Sequence, residues 1–322
     1  METFNTTNKI TIVNSRGVNY IEFRNKLAPN YVRVWVDILA GHFTIIVTLV
    51  LAIYMQKMHP GLWWLTIPAG GFAVGYMVAY LNLFMHEASH YNIAPDKKQN
   101  DLLANIFIGL VIGMHIEFYR RMHMVHHKQL GTKTDSEKSY FEALTPRFII
   151  ESLTGIRILK VLAYRNKNMA KNEGEGAGQE IIRKNNMMFF AAAFLSLSVV
   201  ITFFILGYWQ VSLAWILGMG TVFPFFASFR QVLEHRRVEA DNTINYNETD
   251  HGAAHRMFGD GPIAWTMGPA GFNRHLIHHW DPQVSYTRFK EIEVYLADTP
   301  LNDELQKCQT TYFKTFVSLI KS

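Results

Sequence analysis

The chain has 322 residues, of which 49% are hydrophobic, 14% aromatic and 18% charged, with a formal net charge of +5. So little charge with so many aromatics excludes an intrinsically disordered chain. A single cysteine, Cys308, excludes a disulfide framework, a cysteine-ligated iron–sulfur cluster and a zinc ribbon within the chain. Residues 1–34 are polar and basic, show no cleavable signal-peptide pattern, and read as an N-terminal cytoplasmic segment. Mean hydropathy is only +0.03, but that average hides four apolar blocks. Residues 35–55 carry one charge, Asp37, while 62–85, 186–206 and 209–229 carry none. About 20 apolar residues cross about 30 Å of hydrocarbon as a helix, so four transmembrane helices in two hairpins are expected. Between the second and third spans, residues 102–114 are apolar but too short to cross, and read as re-entrant or interfacial. Residues 148–163 have apolar side chains at helical spacing, with Arg157 and Lys160 among them, which predicts one helix lying in the membrane surface. Residues 171–180, with Gly174, Gly176 and Gly178, read as a flexible loop tip. Short helices are expected through the last 90 residues, ending in a cytoplasmic tail over 296–322. No internal repeat is present.

Charge supports this topology. Thirty of the 31 Lys and Arg residues lie on one side of the four spans, and Lys57 alone lies on the other. The positive-inside rule makes the basic side, with both termini, cytoplasmic. The excess faces anionic lipid headgroups and gives no sign of nucleic acid. The reading is an all-α integral membrane protein with a cytoplasmic helical cap, in a bacterial inner membrane or the endoplasmic reticulum.

Fourteen histidines are present. Three clusters stand out: His86-Glu-Ala-Ser-His90, His123-Met-Val-His126-His127 and His275-Leu-Ile-His278-His279. At this histidine frequency H-x-x-H-H arises by chance about 0.03 times in such a chain, so two copies are not accidental. On a helix, residues i, i+3 and i+4 share a face, so each cluster presents two or three imidazoles in one direction. Imidazole suits iron, zinc or copper. Eight exceed the four that one zinc takes, and two metals with four or five each fit the count. All three clusters lie on the cytoplasmic side, where the cap would carry the metal site. His42 and His59 stand apart and carry no role.

These motifs, in this order relative to the spans, resemble those of the membrane fatty acid desaturase/hydroxylase superfamily. The flanks around Tyr119–Asp135 and His278–Tyr286 resemble that family too, and the resemblance covers roughly 35–295. It implies four spanning helices, a cytoplasmic cap, two non-haem iron ions as cofactor, and O2-dependent attack on an unactivated C–H bond of a lipid chain. The segment Arg230-Gln-Val-Leu-Glu234-His235 resembles a family motif at the end of the fourth span and makes His235 the preferred ninth ligand. The stretch His251-Gly-Ala-Ala-His255 resembles another branch's motif, with His251 in place of its Asn. It leaves His255, or His251, as an alternative or extra ligand.

Metal-bound imidazoles usually donate their other N–H to a carboxylate or carbonyl, so Glu87, Asp135, Glu234 and Asp281, each beside a histidine, are candidate supports. Phe84, Phe225, Phe226 and Phe229 are candidates for a water-excluding tunnel wall. The chain carries no dinucleotide fingerprint and no cluster cysteines, so electrons are expected from a separate ferredoxin, rubredoxin or cytochrome b5 type carrier. Lys128, Lys133, Arg236 and Arg237 offer it a basic docking face. An acyl chain is the default substrate, with desaturation ahead of hydroxylation. Two other classes compete. His86-Glu87-x-x-His90 has the H-E-x-x-H form of a zinc protease, but that reading leaves both H-x-x-H-H clusters unexplained. A metal transporter would need polar or ionisable residues marking an ion path inside the spans, which hold almost none, the exception being Asp37 near an end.

Overall fold

The computed structural model describes residues 8–172 and 175–321. Among these the regular elements are helices, with two isolated bridges and no strand. Four helices are long and apolar enough to cross a membrane: α1 (Tyr31–Met58), α2 (Trp63–Ser89), α7 (Glu175–Ile205) and α8 (Trp209–His235). Between α2 and α7 come α3 (Lys97–Ala104), α4 (Ile116–Gln129), α5 (Pro146–Leu153) and α6 (Ile156–Asn172). The C-terminal third contributes α9 (His275–Trp280), α10 (Phe289–Ala297) and α11 (Tyr312–Lys321).

All four long helices outrun their apolar blocks at one end or both. Asn30 caps α1 by accepting from Arg33 N, starting it ahead of residue 35. Helices α2 and α8 continue past residues 85 and 229 to Ser89 and His235. The apolar pattern stops where the helices exchange lipid for a polar interior, yet the backbone ladder runs on. His86 therefore stands inside α2 rather than beyond it, and His90 is its C-cap.

Helix α2 is central, and glycines let its neighbours approach. A Cβ on Gly41 of α1 would stand 2.8 Å from Leu81 Cδ2. One on Gly71 would stand 2.7 Å from Leu217 Cδ2, and one on Gly75 only 2.6 Å from Val222 Cβ. Close backbone approach of this kind replaces the hydrophobic drive that lipid cannot supply. Opposite Gly75, α8 widens into a π turn over Gly218–Val222, just before Pro224, which has no N–H to give the helical ladder. Helix α7 is held to α8 by Trp215 Nε1 donating to Ser196 Oγ (2.8 Å) and Ser212 Oγ donating to Val200 O (2.8 Å). Its outer face is apolar, with Phe190, Phe194 and Phe204 all exposed.

Two sequence expectations, over 148–163 and 171–180, need correction. Residues 102–114, expected to be re-entrant or interfacial, fall in two helical segments, Lys97–Ile112 and Ile116–Gln129, that meet at 88°, a bend consistent with a re-entrant segment. The turn uses Gly113 at φ +74°, and Asn105 Oδ1 accepts from Ile116 N (2.9 Å). Residues 148–163 are two helices, because Gly155 adopts φ +73° and ends α5. The glycine-bearing stretch 171–180 is helical on both sides of 173–174, and those two residues lie outside the described ones. Residues 296–321 fold back onto the body. Phe258 and Tyr312 stack at 3.8 Å between centroids, and Met257 N donates to Cys308 O.

Candidate metal centre

The box histidines sit on three helices whose ends converge. His86 and His90 close α2, His123, His126 and His127 ride one side of α4, and His275, His278 and His279 lie on α9. His235 closes α8. Five imidazoles form one group: the ligand atoms of His86, His90, His123, His127 and His278 lie within 4.8 Å of one another. His90 and His123 approach at 3.0 Å between Nε2 atoms, and His123 and His127 at 2.9 Å. His278 Nε2 stands 2.9 Å from both His127 and His86. A second group joins His126, His235 and His279 within the same 4.8 Å. His275 belongs with it, its Nε2 lying 2.9 Å from that of His235 and 3.1 Å from that of His279. The groups adjoin, with the His127 and His279 rings 4.7 Å apart. The preferred ninth histidine, His235, is thus in the cluster.

This donor set fits a pair of cations. His126 Nδ1 faces Asp135 at 2.8 Å and His123 Nδ1 faces Glu137 at 3.4 Å. With the proton on Nδ1, the Nε2 lone pair points inward. Lone pairs brought this close repel one another unless a cation or a proton sits between them. Burial, reinforced by the neighbouring imidazoles, holds His127, His275, His278 and His279 well below the usual histidine range. Those rings are neutral at pH 7, the form in which histidine binds metal. His126 goes the other way: burial pulls it down, but Asp135 and Glu137 outweigh that and push it up to about 9. The buried Nδ1 atoms of His86, His235, His275 and His278 have no hydrogen-bond partner.

Of the four candidate carboxylates, only Asp135 touches a box histidine. It is fully buried, accepts from Tyr140 Oη, and sits below the N–H of Gly131. Glu87 Oε1 accepts from Tyr286 N (3.0 Å), and Glu234 faces Arg230 (3.4 Å). Asp281 accepts from Tyr20 Oη and pairs with Arg24, both at 2.8 Å. The residue missed is Glu137. It lies 14 positions from His123, a spacing that carries no helical signal.

His255 and His251 stand outside both groups. The His255 ring centre is 5.2 Å from that of His279. His251 bonds to Gly252 O and packs on Phe141 and Tyr246. His42 and His115 are engaged elsewhere, with Phe107 O and Asn105.

Two cavities reach the cluster from different directions. One, of about 400 Å³, has Tyr119, Glu137, Glu234 and Phe272 at its inner end. Tyr119 stacks on His123, and Phe272 packs on His86 and His275 at 4.4 and 4.7 Å. Its outer end lies between α6, α7 and the π turn of α8, where Leu159 is 61% and Phe189 44% exposed. None of Phe84, Phe225, Phe226 and Phe229 lines it. Phe84 is buried against Tyr80 and Tyr286, and Phe226 packs on Phe72 and Tyr76. The expected tunnel wall is supplied instead by α6, α7 and the π turn. The second cavity, about 1050 Å³, is lined by His127 and His279 together with Lys128, Arg237, Arg256 and Lys307. Arg236 takes no part in a docking face: it is 2% exposed and donates to Tyr140 O and Phe141 O. Lys133 lies in the exposed turn beyond α4.

A family model described as fatty acid desaturase matches residues 62–307. No curated protein matches the chain.

Proposed function

The chain belongs to the fatty acid desaturase family, and on that premise we propose that it is a membrane-bound, O2-dependent non-haem di-iron desaturase acting on a lipid acyl chain. The observation that carries this reading is the pair of adjoining imidazole groups packed behind Tyr119, Glu137 and Phe272, which line a cavity whose other end lies among exposed apolar side chains. His86, His90, His123, His127 and His278 would hold one iron, and His126, His235, His275 and His279 the other. Two irons bound there supply, with O2, the oxidising power that side chains lack. In desaturation two C–H bonds break, a C=C bond forms, and O2 with two external electrons and two protons leaves as two waters. The chain's own part is placement and shielding. Asp135 and Glu137 fix the tautomer and direction of His126 and His123. Tyr119 and Phe272 cover the imidazole rings on the cavity side and exclude water.

The second cavity suits delivery of electrons. It brings water-accessible basic side chains to the edge of His127 and His279, and an acidic carrier of the ferredoxin, rubredoxin or cytochrome b5 type would be drawn to it. The one-sided distribution of Lys and Arg supports a cytoplasmic site with both termini on that side. A zinc protease is disfavoured because the Glu87 carboxylate is engaged by Tyr286 N and not by the histidine cluster.

The test is anaerobic purification with metal analysis, followed by lipid mass spectrometry of cells expressing the wild type or His279→Ala. About two irons per chain are expected, with a wild-type lipid lacking two hydrogens that the variant does not make. A product gaining one oxygen atom makes the enzyme a hydroxylase. A single zinc, or the same lipids in both cells, rejects the reading.

A further inference from the structure

The inner end of the lipid-facing cavity is unusually polar. Glu137, Arg165, Arg230, Gln231 and Glu234 all line it, within reach of Tyr119. The charges are already matched: Arg230 Nε lies 3.4 Å from Glu234 and Arg165 Nη2 3.7 Å from Glu137. Gln231 Nε2 donates to Glu137 (2.9 Å), which in turn meets His123. The polar group is therefore two hydrogen bonds from an imidazole of the cluster. Two acceptors there lack a hydrogen bond. Glu234 is 1% exposed, and its Oε1 faces Arg230 Nε across the 3.4 Å ion pair with no hydrogen bond made by either atom, while buried Gln231 Oε1 has no partner. Beyond this end the walls turn apolar through Ile158, Leu162, Ala192 and Met219 to the exposed mouth.

Resting on the function proposed above, we infer that the substrate enters polar end first. Its polar group is an uncharged hydrogen-bond donor, a hydroxyl or an amide N–H, seated against Gln231 and Glu234. Its alkyl chain trails out between α6, α7 and α8 towards the bilayer. A carboxylate or phosphate would meet two carboxylates whose arginines are already engaged, and a bare alkane would leave both acceptors unsatisfied. The oxidised carbon then lies within a few carbons of the polar group, not in mid-chain.

Binding tests this without turnover. The purified full-length protein in detergent is offered a long-chain alcohol, primary amide, carboxylate and alkane of equal length, and occupancy is read by native mass spectrometry. The alcohol and amide are expected to bind at least about tenfold more tightly than the other two. Gln231→Leu should remove most of that advantage while leaving alkane binding unchanged. Equal binding of all four, or tightest binding of the carboxylate, overturns the inference, and the wild-type ranking needs no variant. Where the iron-loaded protein oxidises the alcohol, fragmentation should place the new group near the hydroxyl, and a mid-chain position overturns the inference. Selective binding with no oxidation of any lipid sinks the enzymatic reading and leaves the binding site standing.

Discussion

Asp135 shows what a carboxylate must do to matter at this centre. It is fully buried, and its partners are His126 Nδ1 and Tyr140 Oη. Asp135→Asn removes the charge that fixes the imidazole, and should weaken metal binding by about 10–100-fold in a metal titration of the purified protein. The neighbouring imidazoles also predict a pH response. His127, His275, His278 and His279 are held below their ordinary 6.5 in the folded chain, by burial first. The unfolded chain therefore takes up more protons as pH falls below about 6.5, and the metal-free protein should melt at progressively lower temperature from there down. His126 has the opposite sign: its pairing with Asp135 is lost as pH rises through about 9. Thermal melts across both windows check the two arms. The histidines were legible in the sequence because i, i+3, i+4 spacing dictates a shared face. Of their carboxylate partners Asp135 was legible and Glu137 was not, because nearness in sequence does not set direction. Glu87 follows His86 by one position, about 100° round the helix, and turns to Tyr286 instead. Glu137 reaches His123 only through the turn after α4.

Among the elements, the α2–α8 contact does most to place the centre, since α2 ends in His86 and His90 and α8 in His235. A side chain on Gly75 would run into Val222 Cβ and Phe223 N, and backbone cannot yield. Gly75→Leu should cost roughly 1–3 kcal/mol of stability and lower metal content as well, read by thermal unfolding and metal analysis of the same preparation. A surface substitution on the lipid face of α7, such as Phe194→Leu, should do neither. Apolar block length located all four long helices, but not their ends, because α2 and α8 keep their hydrogen-bond ladder after their side chains turn polar. The periodicity over 148–163 similarly concealed the break at Gly155, whose positive φ no pattern of apolar residues reveals.

For the whole molecule, the charge asymmetry and the four long helices could be read from composition, whereas the two cavities could not. They arise from elements far apart in sequence, such as α6, α7 and the π turn of α8. Two predictions belong here. Stripping metal with a chelator should lower the melting temperature, because a ligand bound only by the folded chain stabilises it by about 2.7 kcal/mol at a hundredfold excess over its Kd. Ala193→Trp, at the mouth of the lipid-facing cavity, should slow lipid oxidation by about tenfold or more with metal content unchanged, as product formation and metal analysis on one sample would show. Because the greasy doorway and the basic one approach the histidines from different directions, neither visitor has to leave before the other arrives. Steady-state kinetics should then follow a random order of addition, with the apparent KM for the reductant indifferent to how much lipid is present.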